Sequence, residues 1–103
     1  MATTREEAEA IVAPLQVVAD IRIRGMMGGW LIYSDDVLIG QVNEGELFLK
    51  PTTAAAHLTQ HLSRRPPYPG AKPAVVVPEE QRGDAAWSRA VVALSTDELR
   101  PKH

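Results

Sequence analysis

Few stretches of this chain bring together residue types that could do chemistry. The first is Gly25-Met26-Met27-Gly28-Gly29, whose backbone N–H groups could cradle an anion with Arg22 or Arg24 supplying charge. It has neither the Lys-Ser/Thr of a P-loop nor the spacing of a dinucleotide fingerprint. It also falls between two strand-like runs, whereas phosphate cradles need a helix N-terminus to complete them. A wide, glycine-permitted connection is the plainer reading. His57 and His61, four apart in a helix-like run, could share a metal, but a zinc site needs a third ligand and nothing nearby provides one. Both flank the Leu58/Leu62 stripe, as boundary residues do. The paired carboxylates Asp35-Asp36 and Glu79-Glu80 fall in expected turns, where adjacent acids do not converge on one substrate. Ser34, Ser63, Ser88 and Ser95 have no nucleophile-elbow context. The expectation is therefore a non-enzyme with no catalytic residue, no metal and no cofactor.

Composition narrows the classes further. The chain has 103 residues, 45% hydrophobic and 23% charged, with no cysteine. That is an ordinary globular composition, most simply one domain spanning residues 1–103. A chain this long buries roughly 65% of its unfolded surface, enough for a core without metal or disulfide staples. The absence of Cys removes disulfides, thiolate zinc sites and cysteine nucleophiles, and fits a reducing, cytoplasmic setting. No apolar h-region and no membrane-length apolar run is present, so no membrane association is expected. Eleven basic residues against thirteen acidic ones leave a net charge of −2. Domains that grip phosphates carry a basic excess, so no direct sequence-specific nucleic-acid binding is expected. Arg22, Arg24, Arg64 and Arg65 are the residues that could still form a local patch.

The elements that must position these residues are legible from periodicity. Thr4-Arg5-Glu6-Glu7 has capping-box spacing, and Ala8, Ile11, Val12 and Leu15 follow a helical core stripe. Pro14 should end that helix near Ala13. From Asp20 to Lys50 the pattern changes to alternation punctuated by turn residues. Ile21-Arg22-Ile23-Arg24, Trp30–Tyr33, Val37–Val42 and Leu47–Lys50 read as four strands of an antiparallel meander, joined through the glycine cluster, Ser34-Asp35-Asp36 and Asn43-Glu44-Gly45-Glu46. Gly40 marks a bulge or the close approach of a side chain from the helix layer. Thr53–Leu62 reads as a helix with Ala54, Leu58 and Leu62 on one face. Arg64–Gly70 should be an extended, polyproline-like loop, Ala74–Val77 an internal strand, and Pro78 to Gly83 a loop. Asp84 can cap a last helix with Trp87, Ala90, Val91 and Leu94 as its core stripe, and Leu99–His103 reads as a frayed tail. The fold class is α+β: two layers, a curved antiparallel sheet of four to five strands with N-terminal, middle and C-terminal helices.

Arg24-Gly25-Met26-Met27-Gly28, Trp30-Leu31-Ile32-Tyr33, Leu47-Phe48-Leu49-Lys50-Pro51-Thr52, Pro66–Pro73 (PPYPGAKP) and Leu99-Arg100-Pro101-Lys102 together resemble the N-terminal domain of the TfoX/Sxy family. Met27 departs from the Phe usual there. The similarity runs from about Ile21 onward, and the PPYPGAKP run is its most specific part. The resemblance implies a two-layer α+β domain, a homodimer, and a regulatory role of the kind members play in natural competence beside the cyclic-AMP receptor protein. Those members carry a second, C-terminal domain, so a stand-alone version is expected here. Fold does not fix function, and no catalytic residue transfers. The expected use is a protein-interaction module whose candidate surface is Arg24, Met26, Met27, Gly28, Gly29, Trp30 and Tyr68. Met beside an aromatic suits an adaptable contact, although Met26, Met27 and Trp30 could instead fill the core under the helices, with Tyr68 anchoring its loop on the domain. The alternative is a small-molecule or anion site at the Arg24–Trp30 turn. A pocket walled by Trp30 and Tyr33 would favour that alternative, and an apolar patch around Met26 and Met27 would favour the interaction module.

Overall fold

The computed structural model describes residues 2–101. Thr4 caps α1 (Arg5–Gln16) with the full capping box: its side chain accepts from the Glu7 N–H, and Glu7 reaches back to the Thr4 N–H. The helix does not stop at Ala13. Pro14 lies inside it: Ala10, whose carbonyl Pro14 leaves unpaired, is on the exposed side of the helix, while Leu15 one step on is fully buried and holds the last turn to the core.

Four strands follow: β1 (Ile21–Met26), β2 (Gly29–Ser34), β3 (Val37–Asn43) and β4 (Glu46–Leu49). Each pairs antiparallel with the next. All three connections are two-residue turns. Asp35 and Asp36 take φ of 50° and 64°, and Glu44 and Gly45 take 49° and 75°, the paired left-handed conformation whose twist matches a hairpin. The glycine-cluster connection is also tight, not wide: Met26 pairs directly with Gly29, and Gly28 turns the chain at φ 77°.

The register between β2 and β3 slips at Ile32/Tyr33, placing the additional residue Ile39 in β3 beside Gly40. A Cβ on Gly40 would sit 2.1 Å from the Phe48 carbonyl oxygen. The nearest approach thus comes from the backbone of β4, not from the helix layer.

The middle helix is much shorter than expected. After Thr52 turns the chain by accepting from the Ala55 N–H, α2 covers only Ala56–Thr59, and Ala55 and Thr59 face the core where Ala54 does not. Arg64–Arg65 leave the loop to form β5, paired with β6 (Ala74–Val77), which also pairs with β4. The sheet has six strands in the order β1-β2-β3-β4-β6-β5, so β6 is internal. Glu79–Arg82 form α3 where a loop was expected. Pro78 is its N-cap, in extended backbone, and the Pro78 carbonyl accepts from the Gln81 and Arg82 N–H groups.

Asp84 then caps α4 (Ala85–Leu99) by accepting from the Trp87 N–H. Its buried residues are Trp87, Ser88, Val91, Val92, Ser95 and Thr96, so the stripe is centred further round the helix than Ala90 and Leu94 placed it. Ser and Thr fit there because their hydroxyls bond backbone, Ser88 to Arg82 and Thr96 to Val92. Leu99 is helical and packs on the core, and Arg100 pairs with Asp35 at 2.9 Å. The remainder of the expected tail, Lys102 and His103, lies outside the described residues. Helices α1 and α4 pack on each other and on β1, β3 and β4, closing one core with Ile32, Ile39, Val42, Leu47, Leu49, Val75 and Val77.

Candidate interaction surface

Strand alternation sorts the candidate residues onto two faces of the sheet. Trp30 pairs with Val42 and Gly25, and its neighbour two along, Ile32, is fully buried, so Trp30 points to the helix-covered face. There it is half-buried, its indole N–H donating to the Thr3 carbonyl at 2.8 Å. The Arg5 guanidinium stands 5.8 Å from its ring centroid. Trp30 therefore ties the chain's start to β2. Gly29 is also internal, since a Cβ there would meet the Val42 carbonyl oxygen at 2.7 Å. Gly29 thus offers no side chain, and Trp30 offers only its half-exposed edge, where both line a shallow hollow with Ala2, Thr3 and Met26.

Met27 is different. It is 95% exposed at the tip of the β1–β2 hairpin, held out by the Gly28 turn, with Met26 half-buried beneath it. Such an apolar side chain on a tight hairpin presents contact area at little cost in ordering the backbone.

The opposite face of the sheet carries Arg22 and Arg24 from β1, Leu31 and Tyr33 from β2, and Leu38 and Gln41 from β3, each strand partner matched to the next. Further along, Phe48 of β4 lies on the same face yet is only 1% exposed. It is roofed by the Arg65 guanidinium, 5.4 Å from its ring centroid, and Arg65 is held in turn by an ion pair with Glu46. The Pro66–Pro73 loop continues the roof. The Pro67 carbonyl accepts from Asn43, and Tyr68, 44% exposed, lines a hollow with Gln41, Lys50, Pro51 and Leu99. Tyr68 thus anchors its loop over the β3–β4 half of this face.

Among the described residues nothing roofs the β1–β2 half. Leu31, Tyr33 and Leu38 remain half-exposed beside Arg22 and Arg24. A hollow of about 390 Å³ opens there, lined by Arg22, Ile23, Arg24, Tyr33 and Asp36. No protein-family model matches this chain, and no curated protein matches it. The surface must be read from its own geometry.

Trp30 and Tyr33 lie on opposite faces, so no pocket is walled by both. The hollow beside Trp30 belongs instead to Ala2, Thr3, Gly25, Met26, Gly28 and Gly29. Arg22 and Arg24 sit on the first strand of the sheet and Arg64 and Arg65 on the last in spatial order, so the four arginines form no single patch. His57 is exposed on α2, whereas His61 lies beyond its end with Nε2 2.8 Å from Gln81 Oε1. Among the described residues, no group of three or more His, Cys, Asp or Glu could hold a metal ion. Asp35 is engaged by Arg100, and Glu79 and Glu80 open α3, so neither acidic pair converges on a site. No helix among the described residues is long and apolar enough to cross a membrane.

The sequence reading missed Leu31, Tyr33 and Leu38 as surface. The signal was present: Trp30–Tyr33 is apolar at every position, and alternation sends half of such a run to the face away from the helices.

Proposed function

We propose that this chain is a non-enzymatic protein-interaction domain acting in gene regulation in the cytoplasm, the role its resemblance to the TfoX/Sxy N-terminal domain implies. The observation that carries this reading is Met27, 95% exposed on a tight hairpin whose strands lead into the unroofed face of Leu31, Tyr33 and Leu38. Apolar side chains left partly exposed side by side, with charged residues around them, suit a contact surface. The small-molecule or anion reading is weaker, because the Arg24–Trp30 turn divides its side chains between two faces. A photo-crosslinking amino acid placed at Met27 or at Leu38, with exposed Glu9 of α1 as control, tests the proposal in the native cell. Discrete protein adducts from positions 27 and 38 but not from position 9 are expected. Equal labelling at all three positions, or none at 27 and 38, would remove the proposal.

A further inference from the structure

Among the described residues the outer edge of β1 has no neighbouring strand, since β1 stands first in the sheet order. The bond from the Asp35 N–H to the Asp20 carbonyl sets the phase of the β1–β2 ladder. Alternation then directs the backbone groups of Arg22, Arg24 and Met26 toward β2, and those of Ile21, Ile23 and Gly25 outward. The Ile21 carbonyl accepts from Gln16 Nε2 at 3.5 Å, leaving Ile23 and Gly25 to present donors and acceptors along the edge. The opposite edge is built differently. There β5 has two residues and runs straight into Pro66 and Pro67, whose missing N–H groups block strand addition.

We infer that the β1 edge accepts an extended acidic peptide segment as an added strand, with acidic and apolar residues alternating along it. This rests on the interaction-domain reading and names the chemistry of its partner. Arg22 and Arg24 are exposed on the unroofed face; Arg22 is met only loosely by Asp20, at 3.8 Å, and Arg24 has no ion pair among the described residues. Half-buried Ile23 lies between them on the helix side. A strand laid along this edge would therefore place carboxylates beside the two arginines and an apolar side chain beside Ile23. A second copy of the chain fits poorly. Its longest two-fold registers are centred on Ile23 or on Arg24; the first sets Arg22 against Arg24 twice, and the second sets Arg24 against itself. Like charges directly opposite oppose pairing.

A synthetic peptide of alternating Glu and Val, labelled for fluorescence anisotropy, tests this against a Lys-Val counterpart. Binding of the Glu-Val peptide alone is expected, weakening as salt rises, with new hydrogen-exchange protection at the Ile23 and Gly25 amides. The double substitution Arg22→Glu, Arg24→Glu changes only exposed side chains. It should weaken the Glu-Val peptide by about tenfold or more and admit the Lys-Val peptide. Failure of the Glu-Val peptide to bind, binding indifferent to the charge swap, or protection elsewhere than β1 would overturn the inference. Sedimentation showing a dimer protected at the same two amides would hand the edge to a second copy and overturn it equally. A chain that gives Met27 adducts yet ignores the peptide keeps the interaction-domain reading and loses this one.

Discussion

Arg65 serves two neighbours at once: its guanidinium lies over the Phe48 ring and is held by the Glu46 carboxylate. The hydrogen bond from Arg65 holds Glu46 below the ordinary carboxylate range, with the arginine's charge adding to it and partial burial opposing it. A group whose folded pKa is depressed contributes stability that is fully present above its unfolded value. That contribution is lost as the pH falls through the lowered folded value. Both side chains are substantially exposed, at 49% and 40%, so solvent screens the pair and its contribution is small. The expected outcome for Glu46→Gln is a slightly lower melting temperature near neutral pH and a shallower decline on acidification below about pH 5. Thermal melts across pH measure both. Acid limbs that superimpose would show that the pair does not form in solution.

At the scale of elements, α4 is the member that closes the core, and Trp87 is its anchor. The indole is 9% exposed, and its N–H donates to the Leu58 carbonyl at 2.8 Å, tying α4 to the short α2. Truncation to alanine should cost about 3–5 kcal/mol, a large share of the roughly 5–15 kcal/mol that holds an ordinary domain. The melting temperature of Trp87→Ala should fall by more than about 10 °C. A midpoint within about a degree or two of the parent would end the anchor claim. Trp87 could be read from its spacing to Val91, as the meander could be read from alternation and turn residues. The misreadings arose where hydrophobic periodicity is blind, to local turn chemistry and to what lies across an interface. Ala55 and Thr59, not Ala54, face the core, because Thr52 bends the chain before the helix begins. Ser88, Ser95 and Thr96 are polar by type and buried by position, which no hydrophobic period reveals. Arg64–Arg65 become a strand only because β6 lies alongside. On the interaction surface, Met27 was a candidate by residue type, and the inward course of Trp30 follows from alternation, with its partner Thr3 hidden by sequence distance.

For the molecule as a whole, separating the arginine pairs onto opposite edges of the sheet weakens any attraction for nucleic acid. With eleven basic residues against thirteen acidic, no broad positive field remains. Binding to duplex DNA should be weak and indifferent to sequence at physiological salt, as titration by fluorescence anisotropy would measure. A sequence-specific complex formed by this chain alone would contradict that. The strand order has another consequence, for the chain as it is made. The first four strands can close through two-residue turns as they emerge from the ribosome, but the neighbour that completes β4 is β6, and it emerges only after α2 and the proline-rich loop. At roughly 5–20 residues per second, the stretch between Leu49 and Ala74 takes seconds to synthesise. For that interval the nascent sheet ends in a bare edge of Leu47, Phe48 and Leu49, all buried in the finished protein. An edge of that kind invites pairing with other nascent chains. Crowded translation is therefore a condition under which this protein should misassemble.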